Sequence, residues 1–457
     1  MRGAIVQMHR WDEEMETLAA VIVRYAENRI ANPQPLDGPR TGAELTAKAG
    51  RTITPEGLGG FEAFRVWTEV LAPATISTDH PSNLAFVPAA PTRASVLFDL
   101  VVSASSIIGA GWLDGGGAIW AENEALRWLA DLAGLPEAAG GCFVSGGSAG
   151  NLSGLAAARS AALERRGGER PARWSIACSD GAHSSVPAAA KVLDVDVVTV
   201  PHDERGRLTG EALRRRLDEV DADGLFAVSA TAGTTNAGIV DDLAGVAEVC
   251  AERGLWMHVD AAYGGAGLCA PSVRHLYEGI ERADSVIVDP HKWMFAPYDC
   301  CALLYRDPSV AARAFTQEAE YLDDVWEWER DEWTPSKYAY HLSRRVRGVP
   351  FWFSLATYGT EAYRNSVESV LALTRETTDE IRRRPNLELV LEPELSVVVF
   401  RRLGWSPEDH RAFCDDLLAR QVAFVMPTSW EGEKVLRLCF VNPRTTIDDV
   451  RKVLDAT

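Results

Sequence analysis

The chain has no C-x-x-C pair among its eight cysteines, no apolar run long enough to cross a membrane, and no excess of positive charge. Each absence excludes a class of protein. Zinc ribbons and thioredoxin-like redox sites need closely paired cysteines. Here Cys142, Cys178, Cys250, Cys269, Cys300, Cys301, Cys414 and Cys439 are scattered, several of them inside apolar runs, and read as small buried hydrophobes in a reducing compartment. No metal site is expected from them. A membrane helix needs about 18 or more uninterrupted apolar residues, and no window reaches that. The first residues carry His9, Arg10, Asp12, Glu13 and Glu14 without an apolar signal core, so the expected location is the cytoplasm, with no membrane partner. Lys and Arg number 46 against 65 Asp and Glu, a formal charge of −19, which argues against a nucleic-acid partner. The clusters Gly109-Ala110-Gly111 and Gly115-Gly116-Gly117 lack the strand, third glycine and acidic follow-up of a dinucleotide site.

What is present is ordinary in bulk and specific in places. At 457 residues, 47% hydrophobic and 24% charged, the chain is expected to form two or three domains. Residues 1–78 read as an N-terminal helical segment. Leu18, Val21, Ile22, Tyr25 and Ile30 share one face of a helix over 11–30, but the stretch is too thin to fold without another surface to cover it. Over residues 79–356, strands and helices alternate as in a large α/β domain with a mainly parallel sheet. Strands are predicted at 174–177, 195–200, 225–229, 255–259, 285–288 and 302–305, and helices at 149–166, 210–219 and 243–253. Residues 357–457 read as a smaller α+β domain, whose last helix begins at the overlapping T-x-x-D starts of Thr445-Thr446-Ile447-Asp448-Asp449. Function is expected at the carboxyl ends of the large-domain strands.

Lys292 stands there, between His291 and Trp293 and just after the apolar run Val286-Ile287-Val288. Loss of solvation is expected to lower its pKa and make it a Schiff-base nucleophile. Asp260 lies 32 residues earlier, in His258-Val259-Asp260-Ala261-Ala262-Tyr263-Gly264-Gly265, again after an apolar stretch. A carboxylate and a lysine at neighbouring strand ends are what pyridoxal phosphate (PLP) requires, the acid for its ring nitrogen and the amine for its aldehyde. Ser145-Gly146-Gly147-Ser148 precedes a helix and suits an anion.

The words HVDAAYGG and DPHKW, in this order and spacing, resemble the PLP-dependent group II amino acid decarboxylases, the family of aromatic-L-amino-acid decarboxylase and glutamate decarboxylase. The resemblance implies a PLP-dependent transferase of fold type I, aspartate aminotransferase-like. It also implies a homodimer with the site at the subunit boundary and the N-terminal helices wrapped on the partner. By the same likeness Gly147 and Ser148 hold the phosphate, and His183, in Ala182-His183-Ser184-Ser185, stacks on the ring. Thr231 lies beside the cofactor, Asp260 pairs with the ring nitrogen, and Ala262 leaves the ring room. His291 meets the phosphate and Lys292 carries the aldehyde. Tyr321, counted from the lysine word, is the matching proton donor to Cα. Arg344, Arg345 and Arg347 match structural arginines. His80, Phe86, Val87 and Trp112 fall at side-chain-pocket positions, which suits an aromatic or bulky apolar L-amino acid. Asp114 replaces an aromatic position and Asp289 stands where many animal members have asparagine, which leaves open a cationic or acidic substrate, diaminobutyrate- or glutamate-like. Aldehyde-forming members often lack the tyrosine or the histidine, and this chain has both, which favours simple decarboxylation to amine and carbon dioxide.

Overall fold

The computed structural model describes residues 8–32, 34–317 and 332–457. Its centre is a seven-stranded sheet made of β1 (Gly140–Val144), β2 (Ser175–Ser179), β3 (Asp196–Val200), β4 (Leu225–Thr231), β5 (Trp256–Asp260), β6 (Ser285–Val288) and β7 (Cys301–Tyr305), ordered β1-β7-β6-β5-β4-β2-β3. β4, β5 and β6 are buried along their whole length, as the continuous apolar runs demand in a sheet covered on both faces. β1, which opens with Gly140 and Gly141, is absent from the strands predicted by sequence. β7 runs antiparallel to both neighbours. The reason is the short link, residues 289–300, which holds no helix to carry the chain back across the sheet.

A second, antiparallel sheet is formed by β8 (Leu387–Leu389), β9 (Val397–Arg402), β10 (Met426–Trp430) and β11 (Glu433–Cys439), in the order β10-β11-β9-β8. The helices Thr360–Arg382, Pro407–Ala419 and Ile447–Asp455 belong with it, and Thr446 caps the last through a reciprocal pair with Asp449. The two sheets are tied together. Ser396 N–H donates to the Tyr263 hydroxyl at 2.9 Å, just after β5. Leu84 N–H donates to Phe424 O at 2.9 Å and Cys439 N–H to Leu84 O at 3.0 Å, so residues 82–84 join the smaller sheet.

The helix Glu13–Ala31 is capped by the Asp12 side chain and buries none of its residues, with Met15, Val21, Ile22 and Val23 all exposed. A similar apolar surface lies on the helices Arg93–Ser105 and Trp112–Leu132 and the turn between them, where Leu97, Leu100, Val101, Ile108, Leu113 and Trp120 are exposed. Behind that turn, Arg344 and Glu122 form a fully buried pair at 2.7 Å, and Arg344 also donates to Gly109 O at 2.7 Å. Arg345 pairs with Asp99 at 2.9 Å and Arg347 with Asp299 at 2.8 Å, so all three arginines of this segment hold carboxylates. Among the described residues, no helix is long and apolar enough to cross a membrane, and all eight cysteines are free thiols.

Candidate active site

The helix Gly147–Arg165 crosses the carboxyl ends of β5 and β6 at close range because its inner face is glycine and alanine. A Cβ on Gly150 would come within 2.7 Å of Ile287, and one on Gly154 within 2.8 Å of the His258 ring. Gly146 offers no side chain to cap this helix, so its positive end is open to an anion. Gly147 N–H donates to Asp289 Oδ2 at 3.3 Å. A Cβ on Gly147 would sit 3.1 Å from Asp289 Oδ2 and 3.3 Å from the Ala262 methyl, so the glycine sets how closely the helix end approaches the strands.

Lys292 follows β6 in a tight turn, and its Nζ lies 2.9 Å from Asp289 Oδ2. The expectation of a lowered amine pKa does not hold in the cofactor-free protein. Burial pushes the ammonium down, but the carboxylates of Asp289 and Asp260 outweigh it and hold Lys292 above the usual lysine value. The converse applies to Asp289. Burial pushes it up, while Lys292 and His291 together bring it below the usual carboxylate range. The ring of His291 accepts from Cys300 N–H on Nδ1 at 2.9 Å, which leaves Nε2 to face Asp289 Oδ2 at 3.5 Å. Burial lowers the His291 pKa, against the pull of Asp289.

Asp260 ends β5. Asn151 Nδ2 donates to its Oδ2 at 2.8 Å and Ala262 N–H to its Oδ1 at 3.1 Å, so both oxygens act as acceptors. His183 lies in the turn after β2, where its Nδ1 is 2.8 Å from Ser185 Oγ and 3.2 Å from Ser185 N. Thr231 ends β4, and its N–H donates to the buried Asp241 Oδ2 at 2.7 Å. Burial pushes Asp241 up to about 7, against the hydrogen bonds from Thr231 and Leu208.

These groups surround one cavity of about 520 Å³. Gly147, Ser148, His183, Thr231, Asp260, Ala262, Asp289, His291 and Lys292, all named from the sequence, line it together. Four other sequence candidates do not. Phe86 is 61% exposed, with a left-handed φ of 52°, and its ring meets Phe424 at 6.0 Å. Val87 is buried in the main core, His80 accepts from Ser82 N–H at 3.0 Å, and Trp112 lies against Gly116 at the start of its helix. Tyr321 lies outside the described residues. Asp114 is exposed on the first turn of the helix Trp112–Leu132, away from the cavity lining. Tyr298 was missed. Its ring stands 4.5 Å from that of His291, and it lines both this cavity and a neighbouring one of about 590 Å³. The only signal for it was an aromatic residue six positions after the lysine.

The arrangement suits a flat ring that carries a phosphate and an aldehyde. The uncapped helix start can take the phosphate, Asp260 can face a protonated ring nitrogen, and Lys292 can take the aldehyde. Comparison with known proteins agrees. Residues 64–403 match the pyridoxal-dependent decarboxylase conserved domain. The chain is 31% identical over 388 residues to an aromatic-L-amino-acid decarboxylase of Bacillus atrophaeus, with 82% of this chain and 80% of that protein covered. It is 28% identical to an L-2,4-diaminobutyrate decarboxylase of Acinetobacter baumannii, with 90% and 86% covered. A crystal structure of Oryza sativa TDC with PLP and tryptamine superposes with a TM-score of 0.87 at 26% identity, over 97% of this chain and 95% of that one.

Proposed function

The chain belongs to the pyridoxal-dependent decarboxylase family, a PLP-dependent carboxy-lyase acting on amino acids, and on that premise we propose that its substrate is an aromatic or bulky apolar L-amino acid. One observation carries this reading: the second cavity, which shares Tyr298 with the first. Phe295, Pro297, Tyr298, Tyr358 and Tyr363 line one part of it, with Arg29, Arg93 and Arg444 on the rest, and about 590 Å³ is ample for an indole or phenol. The carboxylates that left a cationic substrate open do not favour one. Asp289 is buried against Lys292, Asp114 is exposed elsewhere, and Asp79, at the edge of the second cavity, is paired with Arg29 at 2.6 Å.

Bound PLP supplies an electron sink for the bond broken at Cα. In our reading the protein does the rest. Lys292 Nζ would have to be unprotonated to take the aldehyde, and Asp289 Oδ2, 2.9 Å away, favours its ammonium form and so restrains it. Asp260 would face the ring nitrogen and favour its protonated form, Gly147, Ser148 and His291 would hold the phosphate, and Thr231 and Ala262 would flank the ring, on which His183 would stack. Tyr321 would supply the proton to Cα.

We further propose a cytoplasmic homodimer. The uncovered apolar faces of the helices Glu13–Ala31 and Arg93–Ser105 support it, because a second copy would cover both, and residues 1–78 would pack on the partner.

The test is to supply the PLP-loaded protein with a panel of L-amino acids and to assay carbon dioxide, amine, aldehyde and peroxide together. Amine and carbon dioxide in equal amounts from an aromatic substrate are expected. Turnover confined to diaminobutyrate or glutamate would overturn the substrate assignment, and aldehyde with peroxide would overturn simple decarboxylation.

A further inference from the structure

A continuous chain of short hydrogen bonds runs beneath the cavity floor. Trp256 Nε1 is 2.8 Å from Ser285 Oγ, Ser285 Oγ is 2.7 Å from His258 Nδ1, and His258 Nε2 is 2.8 Å from Asn151 Oδ1. Asn151 Nδ2 then reaches both Asp260 Oδ2 and Ser185 Oγ at 2.8 Å, and Ser185 Oγ meets His183 Nδ1 at 2.8 Å. His258 and Asn151 are completely buried, Ser285 likewise, and Trp256 is only 5% exposed. The chain therefore links β5 and β6 with the helices Gly147–Arg165 and Ser185–Leu193 and with the turn after β2.

Its direction follows from the Asp260 end. Asp260 accepts from Ala262 N–H on one oxygen and from the Asn151 amide N–H on the other, so Asn151 turns its oxygen toward His258 Nε2, which must carry the proton. A neutral His258 then has a bare Nδ1 and accepts from the Ser285 hydroxyl, whose oxygen takes the indole N–H of Trp256. His258 has to be neutral for this, and burial does push its imidazolium down to about 4, against the pull of Asp260. Ser185, having accepted from Asn151, gives its hydroxyl proton to His183 Nδ1, and the remaining ring nitrogen of His183 is left as a donor.

Resting on the reading of Asp260 and His183 given above, we propose that Asn151 is a positioning residue which aims both of them, and that Trp256, Ser285 and His258 set the direction of its amide. A buried donor pair turned the wrong way would set acceptor against acceptor at Asp260. The packing is consistent with a built feature: the His258 ring occupies the space that a side chain on residue 154 would need, and that residue is glycine.

The test uses the full-length protein. With ¹⁵N-labelled histidine and no cofactor added, His258, assigned by its loss in His258→Gln, is expected to be neutral with its proton on Nε2. A proton on Nδ1 or a charged ring near neutral pH overturns the direction. In PLP titrations, Asn151→Leu is expected to weaken affinity roughly tenfold or more, and Asn151→Asp at least as much, although it is the closer match in shape, because it presents an oxygen to Asp260. A role in filling space predicts the reverse order. Should both variants fail to fold, Ser285→Ala, which leaves Asn151 in place, is expected to weaken PLP binding several-fold, and an unchanged affinity overturns the relay. Wild-type protein that forms no borohydride-trapped adduct at Lys292 would defeat the functional reading instead, while the His258 spectrum would still decide the relay.

Discussion

The floor of the cofactor cavity and its rim are built on different principles. On the floor, Asp260, Asn151, His258 and Asp289 are buried and bonded to one another or to backbone N–H groups, all from one chain. At the rim, Tyr298 is 52% exposed and His183 is open to solvent, and on a separate surface apolar residues such as Ile108 and Leu100 are exposed as well. The contrast teaches that the residues proposed to hold the cofactor are organised within one chain, whereas the exposed apolar faces are where the proposed second copy would pack.

The sharpest way to break this contrast is at Lys292. Lys292→Ala is expected to lower carbon dioxide release by roughly a thousandfold or more. It also strands Asp289 without its counter-ion, a loss of about 3–5 kcal/mol in urea denaturation. Adding Asp289→Asn to that variant should restore most of the stability and none of the activity. Recovery of activity would mean that the floor is organised around some other amine. On the separate apolar surface, Leu100→Glu combined with Trp120→Glu is expected to give a monomer by sedimentation, to leave PLP trapped on Lys292, and to cut turnover roughly a hundredfold. A fully active monomer would erase the distinction between the floor and that surface. Tyr321→Phe is expected to leave carbon dioxide release in place while amine yield falls, by up to roughly a hundredfold, the scale of one lost proton donor. An unchanged amine yield would remove Tyr321 from its role.

A smaller effect concerns pH. Asp289 has a lowered folded pKa, so its contribution to stability is present above the unfolded carboxylate value and is lost as pH falls through the folded one. Lys292 has a raised folded pKa, so its contribution is present below the unfolded lysine value, about 10.4, and is lost as pH rises through the folded one. The cofactor-free protein is therefore expected to be most stable between these limits. Asp289→Asn should weaken the acid limb and, by freeing the amine, speed adduct formation with PLP at neutral pH; a slower adduct would assign Asp289 the opposite influence. Smallest of all, Gly154→Ala should weaken PLP binding a few-fold by displacing the His258 ring, even though alanine favours a helix by about 1 kcal/mol. A gain in both stability and affinity would show that the ring has room to spare.

What could be read in advance was what lies close together in the chain. The strand-end words around Asp260 and Lys292 announced their chemistry because an apolar run followed by a polar turn is a local pattern. The Asp289 to Lys292 contact was also local, three residues apart, but burial was weighed without its counter-ion and the sign of the amine shift came out reversed. The reversal of β7 follows from a link, residues 289–300, too short for a helical crossover. Asn151, Ser285 and Trp256 carried no signal, since their meeting depends on the β5 to β6 register that sets His258 opposite Ser285. The substrate side was the least legible. His80, Phe86, Val87 and Trp112 were placed by likeness alone, and within a single chain they lie apart from the cavity.

Residues 82–95 strap the smaller sheet to the lysine turn. At one end Leu84 is stitched to the smaller sheet, and at the other Thr92 N–H and the Ser95 hydroxyl grip the carbonyl of Phe295, at 2.9 and 3.2 Å. Phe295 is three residues past the lysine. No residue of 357–457 lines the cofactor cavity, yet this strap and the Phe295 ring, 5.8 Å from that of Tyr363, join the segment to the lysine turn, so a shift there would reach Lys292 without a direct contact.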